Sequence, residues 1–385
     1  MTLISGGCLL INTHRRCIYK RIVSQAWIPK EKVLFGLNRL LASFFLTGKV
    51  RFNSENAYKI RKEYESNYSA EELNLASVAR RESLGWISKL PEKWIPFAEL
   101  ARIDKPVGAL LLLLPSCWAI FMGAYSVATP LGTTLGAFSL FGVGAFVMRS
   151  FGCTINDILD RKLDRKVIRT IERPIASGRV SVPQAVGSLT LQGLVGLLIL
   201  LLLPFECVQV GLYSVPLILI YPLFKRVTYY PQAMLSTVFS WGCILGFPAV
   251  YAPMYPSIVL PLYASNFLWC MTYDTIYAHQ DKEFDINAGV KSTALAWGEK
   301  TKPILYGLSS LQLLCYNFAG YMNSMGPGFY FFSILGFYNL FKLIKKVDLN
   351  NSQSCWKAFV GNIRTGAILL FGIVLDYVLL LLGII

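Results

Sequence analysis

The sequence predicts an all-α membrane protein, a polytopic bundle of about nine transmembrane helices. Three observations carry that prediction. The chain is 54% hydrophobic over 385 residues, and a water-soluble fold would hide that much apolar surface poorly. Its apolar residues gather into stretches that reach or approach the roughly 20 residues needed to cross a hydrocarbon core of about 30 Å. Its Lys and Arg residues, the source of the +15 net charge, fall into alternate connections between those stretches.

The stretches are 106–124, 131–151, 182–203, 209–224, 232–252, 257–276, 303–321, 328–343 and 365–385. Some are short or interrupted by Pro and Gly, which buried membrane helices tolerate. The cations lie in the N-terminal tail up to Lys105, at Arg149, and in connections 152–181, 225–226, 277–302 and 342–364. The alternate connections near 125–130, 204–208, 253–256 and 322–327 contain none, nor does the C-terminus. All basic residues thus fall on one side, the positive-inside pattern with an odd number of spans. That side is expected to be cytoplasm, or matrix in a mitochondrion. The charge is accounted for by topology, so no nucleic-acid partner is expected, and the lipid bilayer is the surrounding medium.

Along the chain, residues 1–54 hold nine Lys/Arg and a single acidic residue, Glu31. That is the composition of a mitochondrial transit segment, with a disordered basic tail as the other reading. Residues 55–90 are polar and mixed in charge and read as a linker. Residues 91–105, "PEKWIPFAELARIDK", read as an interfacial segment with Trp94 and Phe97 as anchors, opening a membrane domain over 91–385. The nine cysteines show no CxxC spacing and the two histidines are His14 and His279. Neither a zinc site nor a disulfide framework is expected.

The first charged cluster is "CTINDILDRKLDRKVIRT", 153–170. If the second apolar stretch continues as a helix through 164, a turn of about 100° per residue puts Arg149, Cys153, Asn156 and Asp160 on a narrow stripe. Asp157 and Asp164 lie beside it, so Asn156, Asp157, Asp160 and Asp164 share one face. Carboxylates this close repel, and oxygen ligands without Cys or His favour Mg²⁺. Arg161, Lys162, Arg165, Lys166, Arg169 and Arg173 come immediately after, which points to a metal-bridged phosphate. An ordinary charged loop that only sets topology is the competing account.

The pattern recurs on the same side in "WCMTYDTIYAHQDKEFDINAGVKSTAL", 269–295. On a continuous helix Asp274, Asp281 and Asp285 fall on one stripe with Tyr277 beside it, and Lys282 and Lys291 supply cations. Two oxygen-rich faces can hold two Mg²⁺ ions bridged by a diphosphate, whose charge metals and Arg/Lys would neutralise as a C–O bond breaks. The apolar bundle beside them suits a long lipid tail.

"NDILDRKLDRKV" with "RPIASG", "YDTIYAHQDKEFD" with "GVKSTAL", and "RIDKPVG" together resemble the signatures of the UbiA-type membrane prenyltransferases. The resemblance runs from about residue 95 to 385. The wording of the blocks is most like the mitochondrial branch of that family acting in ubiquinone synthesis. It implies a helical bundle around a cavity open to lipid, and Mg²⁺-dependent transfer of a polyprenyl chain from polyprenyl diphosphate to the ring of 4-hydroxybenzoate. It implies a multi-pass protein of the mitochondrial inner membrane with its site facing the matrix, and a quinone-synthesis assembly as a possible partner. By the family pattern Asn156, Asp160, Asp281 and Asp285 are the main magnesium–diphosphate ligands, supported by Asp157, Asp164 and Asp274. Arg161, Lys162, Arg165, Lys166, Arg173, Lys282 and Lys291 are the candidate cations for the diphosphate, with Arg149 also on the substrate. Arg102 is the candidate for the acceptor's carboxylate, Asp274 for activating its phenol, and Tyr273 or Tyr277 for facing an allylic cation. The rivals are a related transfer to haem, homogentisate, dihydroxynaphthoate or chlorophyllide, and a cation transporter. A transporter would spread ionisable residues through the membrane depth. Asp376 in the last stretch is read as a packed polar contact, and His279 as a positioning residue.

Overall fold

The computed structural model describes residues 69–282, 285, 286 and 289–385. The transit-like segment 1–54 and the start of the polar segment lie outside the described residues. Helices and turns make up all the described regular structure, with no strand among these residues.

The end of the polar segment is itself a helix, α1 (Ala70–Ser83). Ser69 and Glu72 close a reciprocal capping box, Glu71 and Glu72 lie in the first turn, and Arg80 and Arg81 lie in the last, all in keeping with the helix dipole. A 3₁₀ turn (Gly85–Lys89) leads to the short α2 (Ile95–Leu100). Trp94 is exposed there, while Phe97 turns inward against Leu100, Ile175 and Val180.

Beyond α2 lie the membrane helices. They are α3 (Val107–Val127), α4 (Leu131–Asp164), α5 (Val182–Leu201) and α6 (Phe205–Ile220). A 3₁₀ turn joins α6 to α7 (Phe224–Val227). Then come α8 (Pro231–Phe239), α9 (Trp241–Ala249), α10 (Pro256–Ala278), the short α11 (Thr293–Trp297), α12 (Thr301–Met322), α13 (Pro327–Lys346) and α14 (Ser352–Leu381). Each stretch predicted to span is helical, and the fifth is split at Ser240 into α8 and α9. Among the described residues, five helices are long and apolar enough to cross a membrane: α3, α4, α5, the α6–α7 unit and α14. The split shortens α8 and α9. Buried polar side chains such as Asn266, Gln312 and Ser333 dilute the apolar runs of α10, α12 and α13.

The central helix is α3, 72% buried over its apolar window against 6% for α5 at the rim. Gly246 lets α9 lie directly on α3, because a Cβ there would come within 2.7 Å of the Ile120 backbone nitrogen. Trp118 of α3 stacks near Trp269 of α10 and edge-on to Tyr316 of α12, and its indole N–H donates to the Gly366 carbonyl of α14. An apolar cavity of about 450 Å³ lies among α3, α4, α5, α6, α8 and α9, lined by Leu112, Phe141, Met148, Leu200 and Ile218, among others, with Arg149 and Tyr221 also in its wall. The lone acid Asp376 caps a helix: its carboxylate accepts the Gly328 and Phe329 N–H groups at 3.0 and 2.9 Å, donors that the first turn of α13 leaves without intrahelical partners.

Candidate active site

At 34 residues, α4 is about 51 Å long, well beyond the hydrocarbon core. Its last turns therefore carry the first acidic cluster past the apolar layer, and the two flanks of that cluster meet different partners. On one, Asp160 pairs with Lys225 of α7, and the Lys225 Nζ also reaches the Asn156 Oδ1 at 3.5 Å. Arg226 Nη2 stands 3.5 Å from Asp160 Oδ1, an oxygen that is buried and accepts no hydrogen bond among the described residues. On the other, Arg102 Nη2 donates to both Asp157 oxygens at 2.8 Å. Arg173 bridges Asp157 at 3.2 Å and Asp164 at 2.9 Å. Asp157 and Asp160 are almost fully buried, so both depend on these cations: an unpaired buried charge is strongly destabilising.

The second cluster departs from the continuous stripe expected of it. The α-helix ends at Ala278 and a 3₁₀ turn covers His279–Asp281. Three residues per turn instead of 3.6 shifts the phase of the chain beyond Ala278 by roughly 60°, so the stripe from Asp274 to Asp281 and Asp285 is broader than one continuous α-helix would make it. Residues 283, 284, 287 and 288 lie outside the described residues. Arg169, from the loop after α4, donates to Asp281 from Nε at 2.8 Å and Nη2 at 2.6 Å, and to the Tyr277 hydroxyl at 3.5 Å. It joins the two motifs. Burial and the neighbouring Asp281 push the Asp285 carboxyl up to about 6. Burial and Lys282 push the His279 imidazole down to about 4, leaving it neutral near pH 7. Its Nε2 meets the Thr301 hydroxyl, which itself donates to the Gly298 carbonyl.

Below the carboxylates, Arg149 lies two turns down α4 from Asn156. Its guanidinium packs over Phe239 and against Gly108 of the "RIDKPVG" segment, where a Cβ would come within 2.5 Å of Nε. It makes no ion pair with another described residue; Asp274 and the Tyr221 and Tyr277 hydroxyls supply its electrostatic surroundings. Tyr277 stacks near Phe359, and Tyr273 is fully buried between Trp269 and Phe359.

The remaining expected cations are more dispersed. Arg161 turns back to the Ile158 carbonyl, Arg165 donates to the Ala176 carbonyl, and Lys162 and Lys166 are exposed. Lys291 Nζ donates to Val227 O and lies over the Tyr229 ring. Its backbone N–H donates to Lys225 O, so the extended return after the second motif fixes the backbone of α7. Lys282 is half-buried beside His279.

Sequence reasoning missed Lys225 and Arg226 as site residues, and left Arg169 without a partner. The available signal was the side of the membrane: 225–226 is a basic connection on the same face as both motifs. The donor set of Asn156, Asp160, Asp281 and Asp285 offers oxygens and includes one carboxylate oxygen that accepts no hydrogen bond among the described residues, which suits a hard cation that keeps water or phosphate in its shell. Among the described residues, no three Asp, Glu, His or Cys side chains converge to enclose a metal by themselves.

Comparison with known proteins bears on what this arrangement is. The model of the UbiA prenyltransferase family matches residues 112–372. The mitochondrial 4-hydroxybenzoate polyprenyltransferase of Saccharomyces cerevisiae is 53% identical over 319 residues, covering 82% of this chain and 86% of that protein. The apo structure of a UbiA homolog from Aeropyrum pernix shares the fold with a TM-score of 0.55 at 21% identity, over 69% of this chain and 97% of that one. A UbiA homolog from Archaeoglobus fulgidus bound to GPP and Mg²⁺ aligns with a TM-score of 0.50 at 19% identity, over 71% of this chain and 99% of that one.

Proposed function

Since the chain belongs to the UbiA prenyltransferase family, we propose that it transfers a polyprenyl group from polyprenyl diphosphate to the ring of 4-hydroxybenzoate, ortho to the phenol, a membrane step of ubiquinone synthesis. The observation that carries this reading is the meeting of two acidic motifs and their cations at the end of α4, whose preceding turns, at Arg149 and Gly152, line an apolar cavity.

The tail of the donor occupies the apolar cavity and its diphosphate lies at the charged end. Asn156 and Asp160 would hold one magnesium ion, and Asp281 and Asp285 a second. When bound, the metal supplies charge neutralisation of the diphosphate, which makes it a better leaving group. Lys225, Arg169 and Arg226, now turned to the carboxylates, stand where they also receive diphosphate oxygens. The C1–O bond of the donor breaks and the diphosphate departs with the electron pair. The apolar walls keep water from the allylic cation, and the half-buried Tyr277, rather than the enclosed Tyr273, offers it a ring face. The ring carbon ortho to the phenol forms the new C–C bond, and its proton passes to a carboxylate or to the departing diphosphate.

The acceptor's carboxylate goes to Arg149. Arg102, the other candidate, is engaged by Asp157, whereas Arg149 is half-buried without an ion-pair partner among the described residues and lies within electrostatic reach of Asp274. Asp274 then stands beside the phenol as its activating base. We place 1–54 as the transit segment, 55–90 as a polar segment ending in α1, and 91–385 as the catalytic membrane domain. The mitochondrial relative supports a mitochondrial membrane, and the one-sided cations support the inner membrane with the site in the matrix.

An acceptor screen tests the reading. Membranes containing the protein receive a polyprenyl diphosphate and ring-labelled 4-hydroxybenzoate, homogentisate or dihydroxynaphthoate. Lipid-extractable label is expected from 4-hydroxybenzoate. Label from another acceptor in its place would replace the substrate assignment.

A further inference from the structure

Glu99 lies outside both motifs, yet it is one of the most heavily paired carboxylates among the described residues. It is 6% exposed on α2 and faces two guanidinium groups. Arg80 of α1 donates from Nε at 2.7 Å and Nη2 at 3.0 Å. Arg179, at the end of the loop after α4, pairs with it from the other side. Burial alone would raise the Glu99 carboxyl, but the two arginines outweigh it and hold the carboxyl below its usual range.

Two paths lead from Glu99 to Asp157. Along the backbone, α2 ends in a tight turn: Arg102 N–H donates to Glu99 O at 3.0 Å and Ile103 N–H to Ala98 O at 3.1 Å. This puts Arg102 at φ 56°, an uncommon left-handed conformation for a residue with a side chain, and aims it at Asp157. Through the loop, Arg179 also donates to the Glu172 carbonyl, next to Arg173, which bridges Asp157 and Asp164. One carboxylate therefore anchors both arginines that hold Asp157, as well as the loop that carries Arg169 to Asp281.

We infer that Glu99 is a positioning residue for diphosphate binding: with Arg179 and Arg80 it fixes the basic loop 165–181 and α2 against the acidic face of α4. The inference rests on the proposed function, since it takes that loop to receive a diphosphate. It also gives α1 a role, as the element that brings Arg80 to the clasp.

The test is the affinity of the full-length protein in detergent for inorganic pyrophosphate with Mg²⁺, measured by calorimetry beside its thermal midpoint. Glu99→Gln is expected to bind about tenfold more weakly, the scale of one misplaced charged hydrogen bond. Arg179→Lys, which keeps the charge but loses the fork, should fall between the variant and the parent, with Arg80→Ala nearest the parent. A merely structural role would lower the midpoint while leaving the affinity of the folded protein unchanged. Unchanged affinity in Glu99→Gln, or in Arg179→Lys should the first not fold, overturns the inference and leaves the proposed function standing. A parent protein without affinity for Mg²⁺-pyrophosphate overturns both.

Discussion

At the end of the bundle away from the basic loops, the buried carboxylate and the tyrosine next to it are satisfied close at hand, and the atom left over there among the described residues is a neutral amide oxygen, Asn323 Oδ1. Asp376 spends its carboxylate on two backbone N–H groups of α13, and the Tyr377 hydroxyl donates to Thr129 O while meeting the Thr134 hydroxyl. No Lys or Arg is present in the connections there. At the other end carboxylates meet cations from remote parts of the chain: Asp160 with Lys225, Asp157 with Arg102 and Arg173, Asp281 with Arg169. Among the described residues, that end also keeps an Asp160 oxygen that accepts no hydrogen bond, with Arg226 3.5 Å away, and Arg149 without an ion pair. Both ends bury polar atoms, but only one leaves charge available to a ligand. A closed polar network contributes to the fold, and an open one is where chemistry is to be sought.

The contrast can be broken by substitution, beginning with the largest effect. Asp160→Ala should lower kcat/KM roughly a thousandfold or more, since it removes an anchor for the leaving group's charge; near-normal turnover would take Asp160 out of the site. Lys225→Ala should cost on the order of a hundredfold, seen mainly in the KM for the polyprenyl diphosphate. Arg149→Ala should raise the KM for 4-hydroxybenzoate about tenfold to a hundredfold, the worth of a charged hydrogen bond. Arg102→Ala should not reproduce that acceptor-specific change, because its guanidinium serves Asp157. The reverse pattern would exchange their roles.

A smaller effect is expected at Asp285, pushed up to about 6 by burial and by Asp281. A carboxyl raised in this way is protonated below that value and ionised above it. Mg²⁺ affinity in the absence of diphosphate should therefore fall as pH drops through about 6, and titrations on either side of it read this directly. Equal affinities would separate Asp285 from the metal. Asp376→Asn has the smallest effect on catalysis: turnover per folded molecule stays the same, while stability falls by about 1–3 kcal/mol from the weakened cap. Lost turnover in well-folded Asp376→Asn would erase the distinction between the two ends.

The sequence reveals most where structure is local. Helices α3 to α6 match apolar runs that a bilayer demands, and the first acidic stripe is legible because α4 stays one helix through Asp164. The second stripe is legible only in outline, because apolar and acidic spacing does not announce the change from 3.6 to three residues per turn after Ala278. Lys225 is invisible as a site residue in the sequence because its partner, Asp160, lies 65 positions away and only the packing of α7 against α4 brings them together. Arg102 and Arg149 show the same limit. Both are arginines near the first motif, and only burial and pairing tell which is already committed to a carboxylate.

The most direct test of the central claim is transfer of label from ring-labelled 4-hydroxybenzoate into lipid extract. The assay compares membranes of the parent protein with those of an Asp160→Ala, Asp281→Ala double variant, each with a polyprenyl diphosphate and either Mg²⁺ or EDTA. The account predicts label only with the parent and only with Mg²⁺. Label that persists in EDTA, or in the folded double variant, would contradict it.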